Sequence, residues 1–260
     1  MSPTKRDAMT PITDVNVSLG RWPFSALRPD TPARLERHLR AEGIGRAWVS
    51  ATESILFPDP DVYDEALFQK LRRRRTLRFV KTVNPTLPNW RESLEHWTRT
   101  RRIRAVKIFP NYHRYSLGDR CATELAAVLR SQRLRLLVQM RVDDERNQSP
   151  LMQVPGVPYQ DVITLAGRFP RMPVVALCPY LLEAKTLAPA RPNLCVDLSF
   201  METPDMLRTA LATIPARQIV FGSHTPVLYT RSAVMKLGLA NIGKRQRRMI
   251  ASGNAARIGL

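Results

Sequence analysis

This chain reads as an α/β protein: a single (β/α)8 TIM barrel with extra C-terminal helices, filling residues 1–260 as one domain. Three observations lead there. Eight short β-branched or apolar runs recur along the chain, helical stretches alternate with them, and 260 residues with 44% hydrophobic content suit one large core. Parallel strands need crossover helices, and eight such units close on themselves. A doubly wound sheet is the alternative.

The series opens with strand Ile12–Val17, followed by helix Thr31–Ala41, where Thr31 caps a helix whose first position is Pro32 and where Gly43 and Gly45 mark the stop. Strand Arg46–Ser50 leads to helix Val62–Arg73, strand Leu77–Val83 to helix Trp90–Thr100, and strand Ala105–Phe109 to helix Cys121–Ser131. Strand Arg135–Met140 precedes helix Gln160–Arg168, with Gly167 near its end, and strand Pro173–Leu177 precedes a short helix Leu181–Lys185. Strand Leu194–Leu198 is followed by helix Pro204–Thr213, entered through Thr203, and strand Gln218–Phe221 completes the eight. Tyr229–Gly238 and Lys244–Ser252 supply the added C-terminal helices. No internal repeat, low-complexity segment or dividing linker interrupts the pattern.

No run of about 18 apolar residues exists, and the opening MSPTKRDAMTPIT lacks an apolar leader region, so a cytoplasmic protein with no membrane partner is expected. Cys121, Cys178 and Cys195 are odd in number and contain no C-x-x-C pair, which argues against a disulfide framework and a structural zinc site. The formal charge of +19 raises a nucleic-acid partner. Against it, the arginines are scattered through every segment, and no aromatics interleave with the runs Arg72–Arg75, Arg99–Arg104 and Lys244–Arg248. Those runs read as solvated helix ends. Glycine-rich phosphate loops are absent, and no cofactor is expected.

In a barrel of this kind, chemistry gathers at the C-terminal strand ends. These bear Asn16, Ser18 and the GRWPF loop, then KIFPNYHRY, QMRVDDERNQSP, VDLSF and FGSHTP. The order DVNVSLG, VKIFPNYH, VDDER, FGSHTP and SGNAARIGL resembles the amidohydrolase-related group of the amidohydrolase superfamily, across Ile12 to Leu260. The resemblance implies a TIM barrel and hydrolysis or decarboxylation at an amide, lactone or carboxylate bond. It also implies a metal centre, but the family's metal positions fall on Asn16, Ser18, a stretch near Gln139, Cys178 and His224. That substitution pattern implies a degenerate site with no metal.

The polar residues at these ends supply the candidates. His224 can serve as general acid or base at a strand end, with Asp144 orienting it or acting as base, and Asn16 donating to an oxyanion. Lys107, inside the apolar run VKIFP, needs an acidic partner such as Asp144 or Asp197, or a substrate anion. Arg141 and Arg146 flank three acids; either guanidinium can hold an anion or clamp its own loop. Asn111, His113 and Trp22 complete the substrate-binding set, with Trp22 and Phe24 packing over the mouth or walling a substrate. No flanking signature supports Cys-His chemistry at Cys178. The expected activity is that of a metal-independent hydrolase or lyase acting on a small anionic substrate. The alternative is a non-catalytic homologue that binds a metabolite or partner protein, and self-association into a homo-oligomer stays open.

Overall fold

The computed structural model describes residues 11–57 and 59–260; the first ten residues, part of the opening segment read as lacking a leader, lie outside the described residues. Among the described residues, nine strands form the sheets: β1 Ile12–Leu19, β2 Ile44–Ala51, β3 Leu77–Phe79, β4 Lys81–Thr82, β5 Ala105–Ile108, β6 Arg135–Gln139, β7 Val174–Leu177, β8 Leu194–Asp197 and β9 Ile219–Val220. Every pairing is parallel, in the orders β1-β2-β3 and β4 through β9.

Two joins turn these sheets into one barrel of eight staves. β3 and β4 are one stave interrupted at Val80, whose N–H donates to Val49 O at 2.9 Å. At the other seam, Val15 N–H donates to Phe221 O at 3.0 Å and Ser18 N–H to Thr225 O at 2.8 Å, with a parallel bridge between Val17 and Thr225. β1 is buried along its whole length, as expected for a parallel strand covered on both faces.

The helices alternate as expected: α1 Pro32–Ala41, α2 Asp61–Leu71, α3 Trp90–Arg101, α4 Arg120–Ser131, α5 Tyr159–Arg168, α6 Leu181–Ala190, α7 Met206–Leu211 and α8 Thr230–Leu239. Thr31 caps α1 by accepting from Arg34 N–H at 3.3 Å. Two helices depart from expectation. α6 runs five residues past Lys185, through Pro189, because Ala184, Leu187 and Ala188 bury its inner face. α7 starts at Met206 rather than Pro204, because Asp205 takes a left-handed conformation at φ 44°. The C-terminal segment is α9 Lys244–Arg248, a π-turn at Met249–Gly253 and α10 Asn254–Ile258.

The interior is layered along the barrel axis. Val15, Trp48, Leu137, Val175 and Val220 pack with Ala255, Ile258 and Leu260, so the C-terminal segment closes the N-terminal end of the barrel. At the opposite end, Ile55, Phe109 and Val142 form a small apolar cap with Trp22 and Tyr112 against it. A polar layer lies between.

Candidate active site

The polar layer starts from a bulge. Between Asp14 and Val17, β1 slips one residue against β2, and Asn16 N–H turns onto its own neighbour's Asp14 Oδ1 at 3.0 Å. Asn16 then joins opposite charges. Its Nδ2 donates to Asp197 Oδ2 at 2.9 Å and to Cys178 Sγ at 3.3 Å, while its Oδ1 accepts from Lys107 Nζ at 3.0 Å. Only this amide orientation satisfies a carboxylate on one side and an ammonium on the other.

Around that centre, Asp197 Oδ1 accepts from Cys178 N–H at 2.8 Å and from Ser199 Oγ at 3.0 Å. Gln139 Nε2 donates to Cys178 Sγ at 2.9 Å and to Arg141 O at 2.6 Å. Ser223 N–H donates to Asp14 Oδ1 at 3.0 Å, whereas among the described residues Asp14 Oδ2 has no hydrogen bond. Cys178 and His224 hold φ near +59° and +57°, a left-handed conformation that non-glycine residues adopt only under tertiary constraint.

Burial governs the charges. It pushes the Asp14 carboxyl up to about 7 and raises Asp197, and it pushes the Cys178 thiol up to about 12. Lys107 is pulled down to about 8 because loss of solvent outweighs the attraction of its acidic neighbours. His224 is pulled to about 3, first by burial and then by the Lys107 charge, so its imidazole is neutral at pH 7. Its Nε2 faces Val142 O at 2.7 Å, which places the ring proton on Nε2.

A second buried lysine provides a comparison. Lys81 Nζ meets Asp61 at 2.6 Å and Asp64 at 2.9 Å, and its pKa is raised. Lys107 has three N–H donors but, among the described residues, one protein acceptor.

The other expected residues lie outside this centre. Arg141 is a clamp: Nη1 donates to Cys178 O at 2.6 Å, both terminal nitrogens meet Glu183 at 2.8 Å, and Tyr180 stacks at 3.9 Å. Its guanidinium is therefore committed within the protein. Asp144 is taken by Arg146, through Nε at 2.9 Å and Nη2 at 2.6 Å, which lowers its carboxyl to about 2; it does not orient His224. Asn111 donates to Met140 O and Pro155 O, tying two loops together. His113 Nε2 bonds Ser54 O at 3.2 Å beneath its loop, with its pKa lowered by burial. Trp22 packs edge-on against Phe24 and Tyr112 at the apolar cap, while Phe24 itself is exposed.

The residues that sequence reasoning did not place in the site are Asp14 and Ser199; Gln139 and Cys178 entered it only as altered metal positions, and Asp197 only as an acidic partner for Lys107. One signal was available: Asp14, Asn16 and Ser18 put a polar group at every second position of a strand whose other residues, Thr13 aside, are apolar.

No protein-family profile matches the chain, and no curated protein matches it in sequence. Solved structures do match in shape. A 5-carboxyvanillate decarboxylase from Sphingomonas paucimobilis superposes with a TM-score of 0.75 at 15% identity, over 95% of this chain and 98% of that one. An uncharacterised TIM-barrel protein from Bordetella bronchiseptica gives 0.72 at 16% identity, over 96% and 98%. A dihydroxybenzoic acid decarboxylase from Polaromonas, solved with bound manganese and 2-nitroresorcinol, gives 0.73 at 12% identity, over 96% and 97%. At these identities the likeness establishes the fold, the expected TIM barrel.

The strand ends here do not fit a divalent metal. Among the described residues no three histidine, cysteine or carboxylate side chains gather as a metal site requires. The positions that the resemblance assigns to metal ligands carry amides, a hydroxyl, a thiol and an imidazole whose Nε2 is committed to a carbonyl. A lysine ammonium already occupies the centre of the group.

Proposed function

We propose that this chain is an amidohydrolase-type lyase or hydrolase that acts without a metal on a small carboxylate anion at the barrel mouth. The observation that carries the reading is Lys107: an ammonium only 3% exposed, with one amide oxygen for three donors. An under-coordinated buried cation is stabilised by an incoming anion. Lys107 anchors the substrate carboxylate, and Asn16, whose amide links Lys107 to Asp197, positions the ammonium.

In the lyase form, the bond between carboxylate and carbon breaks, carbon dioxide leaves, and the electron pair left on carbon takes a proton. Asp14 is the acid suited to deliver it, with a pKa of about 7 and an unpartnered Oδ2. His224, neutral and pinned through Nε2, is a poorer acid than its strand-end position suggested. Its role is to hold the loop after β9 against Val142.

The test is incubation of chelator-treated protein with 2,6-dihydroxybenzoate, 5-carboxyvanillate and related acids, following carbon dioxide release. Turnover that Lys107→Met abolishes and that added manganese does not raise supports the reading; turnover only with manganese sinks it. A second reading, a binder without turnover, is favoured by the apolar cap of Ile55, Phe109, Val142, Trp22 and Tyr112 over the mouth. Saturable carboxylate binding with no product would select it.

A further inference from the structure

Some of the arginines scattered along the chain meet on folding. At the N-terminal end of the barrel, opposite the mouth, a cavity of about 530 Å³ opens between the second and third staves, the end of α3 and the C-terminal segment. Arg46 and Arg78 reach it from β2 and β3, Arg72 and Arg74 from the turn after α2. Arg101, Arg102 and Arg104 come from the link between α3 and β5. Two of the three basic runs thus meet in one concavity, while Lys244–Arg248 does not line it.

The charge there is largely uncompensated. Glu36 pairs with Arg74, and Glu65 with Arg101 at 3.1 Å. Among the described residues, Arg46, Arg72, Arg78, Arg102 and Arg104 have no side-chain acceptor, and all five are exposed to solvent, open to an incoming ligand. Arg102 is held at φ 52°, a left-handed position at the end of α3. On the same wall, Trp48 is 5% exposed and its indole N–H has no acceptor. Five guanidinium groups around one hollow repel one another, and a buried N–H donor left idle adds a further penalty.

We propose that this cavity is a binding site for a compact anion carrying two or more linked phosphates. Planar guanidinium forks bond phosphate oxygens in pairs, and several lining one hollow match a diphosphate or triphosphate better than a single charge. The volume suits a ligand of nucleotide size. A concave hollow that leaves out the third basic run does not track an extended nucleic-acid strand. The proposal is independent of the chemistry at the mouth.

The experiment is calorimetric titration of the full chain at about 0.15 M salt, with inorganic pyrophosphate, ADP, orthophosphate and a single-stranded oligonucleotide. The double variant Arg46→Gln/Arg102→Gln is compared with Arg245→Gln/Arg248→Gln, which removes equal charge outside the cavity; circular dichroism verifies that both fold. Expected are saturable one-to-one pyrophosphate binding, weakened about tenfold or more by the cavity variant and unchanged by the other, and several-fold weakening by Trp48→Phe. Tighter binding of ADP than of pyrophosphate identifies a nucleotide, and equal binding identifies the diphosphate group alone. Equal losses in both double variants, no saturable binding, or an oligonucleotide outcompeting pyrophosphate would each overturn the proposal.

Discussion

Replacing each buried lysine by methionine, one at a time, asks which of the two the fold needs. Lys81→Met strands Asp64, a fully buried carboxylate, without its cation, and loss of one partner from such a pair costs about 3–5 kcal/mol. Lys107 behaves differently. Its pKa falls from 10.5 to about 8 in the folded protein, which corresponds to about 3 kcal/mol of unfavourable charge burial. Methionine removes that penalty and leaves Asn16 Oδ1 without its donor, a loss of about 1–3 kcal/mol. Lys107→Met is therefore expected to lie within about 2 kcal/mol of the parent, far from Lys81→Met. The pH dependence has a definite sign. Below pH 8 both folded and unfolded states hold the proton and the whole penalty is present; between about 8 and 10.5 only the unfolded state keeps it, so parental stability rises with pH. Lys107→Met should lack that rise. Urea unfolding midpoints on either side of pH 8 measure both effects. If Lys107→Met loses as much as Lys81→Met, or if its pH slope equals the parent's, Lys107 is a satisfied structural cation and the reasoning fails.

Further outcomes follow from the same layer. His224, with a folded pKa of about 3, stays neutral while the unfolded chain takes up a proton below 6.5, so acidification through that window should cost up to about 5 kcal/mol that His224→Gln does not lose; acid unfolding midpoints of the two proteins check it. With a thiol pushed to about 12 and no exposure, Cys178 should resist a disulfide reagent that modifies the half-buried Cys121, all three cysteines reacting only in denaturant. A Cβ on Gly222 would meet Asp197 Oδ2 at 2.5 Å, so Gly222→Ala should displace that carboxylate and destabilise by about 1–3 kcal/mol, read by thermal unfolding.

The staves were legible because a parallel strand covered on both sides is apolar along its buried run, as β7 is throughout and β8 is up to Asp197 at its end. Lys107 was legible for the converse reason, a charge inside such a run. What the chain order hid is who faces whom. Arg141 looked free to hold a substrate because its partner Glu183 lies 42 residues away and only the β6–β7 register brings them together. Asp14 was passed over because its constraint comes from Ser223, 209 residues on, across the closing seam. The basic runs gave no sign of meeting, since each by itself resembles a solvated helix end. Val80, where the third stave splits, is apolar like Phe79 before it and gives no warning of the break.

β5 is four residues long, and Arg104 just precedes it while Lys107 nears its far end. Three residues of strand span roughly 10 Å, and a long arginine side chain adds to that. Two like charges about 15 Å apart, at an effective dielectric near 20, interact by at most about 1 kcal/mol, and by less as salt screens the exposed Arg104. The two ends of the barrel therefore share one electrical circuit along a single stave. An anion neutralising the arginine hollow would let Lys107 keep its proton to higher pH, and by the same factor the protonated Lys107 holds phosphate in the hollow more firmly than the neutral amine does, whereas an anion bound on Lys107 weakens that hold.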